Sequence, residues 1–501
     1  MSAVGNDHDV AERSRHEIEL KLHVPADRAA TVQQAVRGTQ PARRMHLQAS
    51  YIDTPAYDLA AAGMGWRVRR EGRRWVQTLK GTPRGSDGMS REEDNVVVRS
   101  SARPTADAEL HADSPVGQQL LQLLEDLEGT PDERFCTDVW RTTHTVRAPG
   151  GTVELAFDDG AVTGGGTELP ICELEIELKS GDPRAVIATA RRWAARHGLW
   201  LDTATKAQRG VMLSKGLATL PVSKAPTPEL HKAMSVDAAL REMTRACLLQ
   251  ILGNTSAIAA GLAGHEHVHQ ARVGIRKLRT VLREFGPLCP DVDPDWADDL
   301  ADVFTVLGAA RDREVVLAGW LARLDKVGAP KLDVPAPVME VDPVDVLRGV
   351  DFTTLALDLM EYAHGTPTDT DTDLVREVSA RLSQLRKGSV KKAGRFERLG
   401  TEEQHRVRKE LKRLRYVAEL TATLFSAKKV ARFVAAMEPA QDALGELNDL
   451  IVATELFRGM TEVESEAWFA VGWLSSRLER TVHRCTKPLH RAERSDPYWK
   501  H

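Results

Sequence analysis

The stretch His16-Glu17-Ile18-Glu19-Leu20-Lys21-Leu22 decides the fold. Charge and hydrocarbon alternate with period two, so a strand here sets Glu17, Glu19 and Lys21 on one face and Ile18, Leu20 and Leu22 on the other. By itself this is a surface strand with one face in water. The alternation keeps returning along the first half of the chain, and the repetition gives it a different meaning.

The same pattern predicts strands at Gln48–Thr54, Trp66–Arg70, Trp75–Lys80, Arg91–Val98, Val139–Arg147, Thr152–Asp158 and Ile171–Lys179. Helices are expected between Val24-Pro25 and Gly38, from Ser114-Pro115 to Gly129, and from Asp182-Pro183 to His197-Gly198. About eight antiparallel strands can close on themselves with side chains or one small ligand inside. Arg67 and Arg69 share a face, as do Thr78 with Lys80, Arg91 with Glu93, and Arg141 with Thr143 and Thr145. Glu173, Glu175 and Glu177 lie opposite Cys172, Leu174, Ile176 and Leu178.

That charge distribution points to function. Three carboxylates at alternate positions of one strand repel one another, and Glu17 and Glu19 add to the repulsion. A hard divalent cation such as Mg²⁺ would relieve it while leaving coordination sites for phosphate and water. Arg67, Arg69, Lys80, Arg91 and Arg141 supply what a phosphate chain needs, charge-assisted and bidentate hydrogen bonds. With this face inward, the closed sheet becomes a polar tunnel clad in apolar outer faces and helices.

These residues resemble the CYTH family of triphosphate tunnel metalloenzymes. The opening Glu-x-Glu-x-Lys signature stands at Glu17, Glu19 and Lys21, and the likeness continues through Tyr51-Ile52-Asp53-Thr54, Arg67-Val68-Arg69, Thr78-Leu79-Lys80-Gly81, Arg91-Glu92-Glu93, Arg141, Asp158 and Glu173 to Glu177. Lys206 fits a lysine near the end of the family pattern. The resemblance covers residues 15–218 and implies a tunnel that holds Mg²⁺ or Mn²⁺ on Glu17, Glu19, Asp158, Glu173, Glu175 and Glu177. It further implies that Lys21, Arg67, Arg69, Lys80, Arg91, Glu93, Arg141 and Lys206 bind a triphosphate, with Glu17, Glu19, Arg67 and Lys80 catalytic. Which two of the last three acids ligate the metal is left open.

Residues 1–14 read as a polar, disordered lead-in, and 219–232 as a proline-bearing linker around Pro221, Pro226 and Pro228. Beyond it the period changes from two to 3.6. Helices are expected from Ser235 and over 265–285, 295–310, 312–325, 352–363, 373–393, 401–425, 430–447 and 462–484, with 327–344 as a loop or insertion. An internal repeat is visible: His269 to Arg279 aligns without a gap on His405 to Arg415, and Leu307-Gly308 corresponds to Leu444-Gly445. The expected fold is α+β, an eight-stranded antiparallel tunnel with flanking helices followed by an all-α domain of two repeated helical bundles over 233–495.

Within the repeat, His269, Arg272, Arg276, Lys277, Arg279 and Arg283 and then His405, Arg408, Lys409, Lys412, Arg413 and Arg415 gather on helices whose Ala271, Ile275, Leu278 and Leu282, or Val407, Leu411, Leu414 and Ala418, form an apolar stripe. A solvated charged face would intersperse acids one turn away, yet the first acid in register with either stripe is Glu419. A polyanion lying across the stripes would relieve their self-repulsion. This half resembles the CHAD domain, and the likeness implies binding of inorganic polyphosphate.

The totals agree with a soluble enzyme: 42% hydrophobic and 28% charged residues, and no apolar run of membrane-spanning length. Five scattered cysteines without a CxxC pair suggest reduced thiols and a cytoplasmic setting. A net charge of −4 means that affinity for polyanions must come from local clusters. The expectation is a metal-dependent inorganic triphosphatase with a polyphosphate-binding helical domain. Adenylate cyclisation and non-catalytic polyphosphate or nucleic-acid binding are the alternatives. Nucleic acid is disfavoured because, apart from Tyr416, the stripes lack interleaved aromatic residues.

Overall fold

A computed structural model describes residues 15–38, 42–83, 90–127, 129–332, 341–369 and 372–500, with the side chains at 15–16, 82–83, 90–91 and 309–318 outside the description. The lead-in at 1–14, and 333–340 of the proline-rich segment, therefore lie outside the described residues.

The first part alternates strands and short helices: β1 (Arg15–His23), α1 (Ala29–Arg37), β2 (Arg43–Asp53), α2 (Asp58–Ala61), β3 (Gly65–Glu71), β4 (Arg74–Pro83), β5 (Ser90–Val98) and α3 (Pro115–Glu125). Then follow β6 (Asp132–Ala148), β7 (Gly151–Gly164), β8 (Thr167–Gly181), α4 (Arg184–His197), β9 (Trp200–Leu201) and α5 (Lys206–Ser214). All pairings are antiparallel, in the order β5-β4-β3-β2-β6-β7-β8-β1-β9. β1 closes the ring by pairing with β8 along Glu19–His23 and with β5 along Arg15–Ile18. Eight strands thus form the ring, and β9 is a two-residue addition to β1 that is too short to carry any alternation.

Register carries the sequence alternation around the ring. Glu19 stands opposite Glu177, Lys21 opposite Glu175, Asp158 opposite both Arg141 and Glu173, and Lys80 opposite Glu93. Directly opposed residues share a face, so these charges belong to one surface of the sheet. The other surface buries Leu20, Leu22, Leu155, Phe157, Leu174 and Ile176, with α1 and α4 packed on it. Toward one end the charged surface turns apolar, and α5 covers it there. Ala207 and Val211 meet Ala49, Tyr51 and Phe135, while Met212 and Leu213 meet Leu47, Val139, Val162 and Ile171.

The remainder is helical: α6 (Val236–Ala259), α7 (His265–Phe285), α8 (Trp296–Asp325), α9 (Pro343–Arg348), α10 (Val350–His364), α11 (Leu374–Gly388), α12 (Thr401–Leu420), α13 (Ala427–Met460) and α14 (Ala467–Glu493). Two expected helices, 295–310 and 312–325, are one, because no Gly-Pro or capping signal interrupts residues 309–311. The helix expected over 430–447 runs to Met460 and passes through Pro439. Each copy of the repeat is a basic helix followed by a long one, α7 with α8 and α12 with α13. Ala271, Ile275, Leu278, Val407, Leu411, Leu414 and Ala418 are fully buried, and Leu282 nearly so.

The chain divides into two compact units. One comprises Met1–Lys224, Leu248–Ala271 and Val344–Gly365; the other Ala225–Cys247, Arg272–Pro343 and Thr366–His501. Two helical segments from beyond the linker therefore belong to the same unit as the sheet. Arg191 of α4 meets Asp358 and Glu361 of α10 (2.5 and 2.7 Å), and Ser256 of α6 accepts from the Thr203 N–H (3.0 Å). The Arg348 guanidinium donates to the Ala259 carbonyl (2.6 and 2.9 Å).

Candidate functional site

Inside the closed sheet the acids of β1, β7 and β8 face cations from β3, β4, β6 and α5. Lys80 bridges Glu17 (2.6 Å) and Glu93 (2.9 Å). Glu93 is held from the other side by Asn95 Nδ2 (2.9 Å), whose carbonyl accepts from the Thr78 hydroxyl (2.7 Å). Burial and the carboxylates of Glu19 and Glu93 push Glu17 well above the usual range, although Lys80 opposes them. Burial works the same way on Glu93, but Lys80 and Arg67 outweigh it and hold that carboxyl well below.

A second network centres on Lys206. Its ammonium contacts Asp158 and Glu175 at 2.7 Å and also Glu173. Arg141 grips Asp158 with two hydrogen bonds (2.7 and 2.6 Å) and reaches Glu175. Arg209 adds Glu173 (3.3 Å) and the buried Asp202. Lys21 lies 3.4 Å from Glu173 and donates to the Ala204 carbonyl. Burial would raise Asp158 and Glu175, but Arg141 and Lys206 hold both carboxyls down.

The third group is a surplus of cations on β3. Arg67 donates to the Tyr51 hydroxyl (3.3 Å), and Arg69 pairs with Glu71 (2.8 Å). Burial and the nearness of Arg67 hold Arg69 below its ordinary range. Arg91 stands opposite Glu17 across the β1–β5 pairing, with its side chain outside the described residues.

The two acid groups differ in what they can hold. Oxygens of Asp158, Glu173 and Glu175 lie within 4.8 Å of one another, the spacing of a metal site, but the Lys206 ammonium already contacts all three. Glu19, by contrast, has no ion pair among the described residues and faces Glu177 across the β1–β8 pairing, with Glu17 two residues away. Glu177 is raised by burial, with Lys179 (2.8 Å) only partly compensating. Carboxylates short of counter-charge attract a hard divalent ion: Glu19 has no ion pair among the described residues, and Glu17 and Glu177 each hold one lysine that does not offset their burial, whereas the trio has the spacing of a metal site but is filled by Lys206.

Three contributors lack a role in the sequence reading. Arg209 and Asp202 are buried beside Lys206. Their signal was the Thr205-x-x-Gln208 capping box, which starts a helix and brings Lys206 and Arg209 to one face. Tyr51, buried against Phe135 with ring centroids 4.5 Å apart, was visible only as part of a motif. Asp53 of that motif is structural: it accepts from the N–H groups of Thr54, Leu59 and Ala60 (2.8 to 3.0 Å).

On the helical repeat, α7 receives acids from other helices and the basic residues of α12 pair with two acids of its own. Arg283 meets Asp298 of α8 (2.7 Å), Lys277 meets Glu419 (3.3 Å), Arg415 meets Glu419 (2.5 Å) and Gln441 (2.6 Å), and Arg413 meets Glu410 (3.5 Å). Arg279 donates to the Ala297 carbonyl (2.7 Å). Acids thus reach both stripes, from other helices onto α7 and from Glu410 and Glu419 within α12. Positive charge remains concentrated around Lys412: burial, then Arg408 and Arg276, and also Arg272, push its ammonium down to about 7 against the pull of Asp449. Arg272 and Arg276 lie over the Phe304 ring at 4.3 and 4.9 Å. Gly308 makes room for the first, since a Cβ there would sit 2.2 Å from its Nη1. His269 and His405 are exposed on these helices, with Lys409 beside His405, whose imidazole is lowered by burial and by Lys409 and Arg408.

Among the described residues all five cysteines are free thiols. No helix among them is long and apolar enough to cross a membrane.

Comparison with known proteins finds likenesses to both parts of the chain. Over 172 residues, 34% of this chain and 47% of the relative, the chain is 31% identical to an inorganic triphosphatase of Haemophilus influenzae, so the match spans about half of that protein's length. An uncharacterised protein of Mycobacterium tuberculosis is 26% identical over 507 residues, 92% of this chain and 91% of that one. A crystal structure of the CHAD domain from the plant Ricinus communis shares 27% identity at a TM-score of 0.44, covering 53% of this chain and 96% of that one. The CYTH domain family matches residues 15–211 and the CHAD domain family residues 242–458. The chain therefore carries a CYTH domain over residues 15–211, followed in the same chain by a CHAD domain over residues 242–458.

Proposed function

We propose that the protein hydrolyses inorganic tripolyphosphate in its tunnel with a divalent metal ion, and that its helical domain binds inorganic polyphosphate. The observation that carries the first part is the inner face of the sheet: acids short of counter-charge at Glu17, Glu19 and Glu177 opposite the cations of β3, β4 and β6. The likeness to a bacterial inorganic triphosphatase supports it.

Glu17, Glu19 and Glu177 would hold Mg²⁺ or Mn²⁺, which when bound screens the charge of the phosphate oxygens. Arg67 and Arg69 offer planar donors to non-bridging oxygens. Lys80, already between two carboxylates, exchanges one of them for phosphate, which costs less than uncovering a bare ammonium. Arg141 and Lys206, fixed by buried acids, do not move and form a preorganised wall that stabilises developing charge. The tunnel admits a chain of phosphates and limits the water that can reach it.

For the helical domain the supporting observation is the cation concentration around Lys412, which a polyanion would relieve. Side-by-side phosphate release from tripolyphosphate, ATP and thiamine triphosphate, with and without Mg²⁺, tests the enzymatic reading. Tripolyphosphate should be turned over fastest and only with metal. Cyclic AMP as the main product from ATP would overturn it.

A further inference from the structure

The unit that contains the sheet has a second concavity, away from the tunnel. A recess of about 260 Å³ opens between α1, α4 and the outer surface of β6 and β7. Its walls are apolar: Ala35 and Val36 from α1, Val146 and Leu155 from the strands, and Trp193 from α4. Its polar lining is entirely basic, made by Arg192, Arg196, His144 and His197, and no carboxylate lines it among the described residues. In a chain with more acids than bases, 72 against 68, that selection of one sign is informative.

The histidines show how the charge is held. His144 Nδ1 lies 3.0 and 3.1 Å from the carbonyls of Val36 and Arg37. Carbonyls only accept, so Nδ1 carries the proton, and Nε2 is left without a protein partner among the described residues. His197 stacks on Trp193, with centroids 5.0 Å apart. Burial, together with Arg196 and Arg28, disfavours its charged form, so the positive charge at the mouth belongs to the two exposed arginines.

We propose that this recess binds a small amphiphilic monoanion, an apolar body of about ten carbon atoms bearing one carboxylate. The body would lie against Val36, Leu155 and Trp193, and the carboxylate would meet Arg192 and Arg196 in charge-assisted hydrogen bonds. An aromatic acid and a fatty acid share this chemistry and differ in the shape of the body.

Calorimetric titration of the full chain with 1-naphthoate and, separately, decanoate tests the site, with 1-naphthalenemethanol as the uncharged control. At least one acid should bind saturably, one per chain, and more tightly than the alcohol. Tighter binding of naphthoate identifies an aromatic site, and tighter binding of decanoate an acyl site. Arg192→Glu with Arg196→Glu should weaken the acid about tenfold or more and leave the alcohol unchanged. Ala35→Trp, at a partly exposed wall position, should fill the recess and remove both. Thermal melting of each variant checks that it is folded. No saturable binding of either acid by the wild type, or unchanged acid binding in the folded variants, overturns the proposal.

Discussion

The tunnel and the helical repeat both gather cations for phosphate, but they prepare them in opposite ways. In the tunnel, strand register places acids among the cations, so Lys206 touches three carboxylates and Lys80 two. Around Lys412 the nearby charges are mostly of one sign, and burial together with Arg408 and Arg276 pushes its ammonium down to about 7. A matched network is rigid and geometry-specific, and it suits a short substrate gripped at fixed points. An unmatched one is tolerant of register and length, and it should respond strongly to salt.

The largest effect should come from breaking the matched network. Lys206→Met would take the shared cation from Asp158, Glu173 and Glu175, two of them fully buried, leaving them to Arg141, Arg209 and Lys21, and should cost up to about 3 kcal/mol of stability. Its pH dependence has a definite sign. Asp158 and Glu175 are held down in the folded state, so their stabilisation is present above the ordinary carboxylate range and is lost as pH falls through their folded values. In the variant burial acts with less opposition, so the acid-unfolding midpoint should move to higher pH, which circular dichroism against pH would show. An unchanged midpoint would mean that the lysine is not the counter-ion.

A truncation should have the next largest effect. A fragment ending at residue 218 lacks Leu248–Ala271 and Val344–Gly365, which belong to the same compact unit as the sheet. It would lose the Asp358 and Glu361 partners of Arg191 and the Ser256 contact of Thr203. Its melting temperature should fall well below that of a fragment supplemented with these helices. Equal melting temperatures would contradict the division.

On the unmatched side, Arg272→Ala with Arg408→Ala should weaken long-chain polyphosphate binding by roughly 10- to 100-fold at low salt and flatten its salt slope, by analogy with counterion release from nucleic acids. Tripolyphosphate hydrolysis should be unchanged. A smaller effect is expected from pH. Below about 7 Lys412 is already charged; above it, binding a polyanion must draw in a proton, so affinity should fall with rising pH, by about tenfold per unit at most. In Lys412→Met that component should vanish. The same depressed value means that the lysine is destabilising when charged in the fold, with the penalty complete below about 7 and fading as pH rises toward the ordinary lysine range.

The alternation beginning at Glu17 made the inner face legible because period two survives folding unchanged: each pair of opposed residues keeps its side. The buried apolar stripes of α7 and α12 were legible for the same reason with period 3.6. What escaped was either too short or too distant. β9 has two residues and no period. The partners of Arg283 and Lys277 come from other helices, and the attachment of α10 to α4 joins residues about 170 positions apart. Gly308 and Gly445 look equivalent in the repeat, yet only the first has a side chain pressed against it.

The central claim is that Glu19, which has no ion pair among the described residues, serves with Glu17 and Glu177 a metal that hydrolysis requires. Phosphate release from tripolyphosphate should be followed across a Mg²⁺ titration for the wild type and Glu19→Gln, with melting curves to show that both are folded. The account predicts metal-dependent release by the wild type and a loss of roughly 100-fold or more in the variant at saturating substrate. Full activity in the variant, with the same metal dependence, would contradict it.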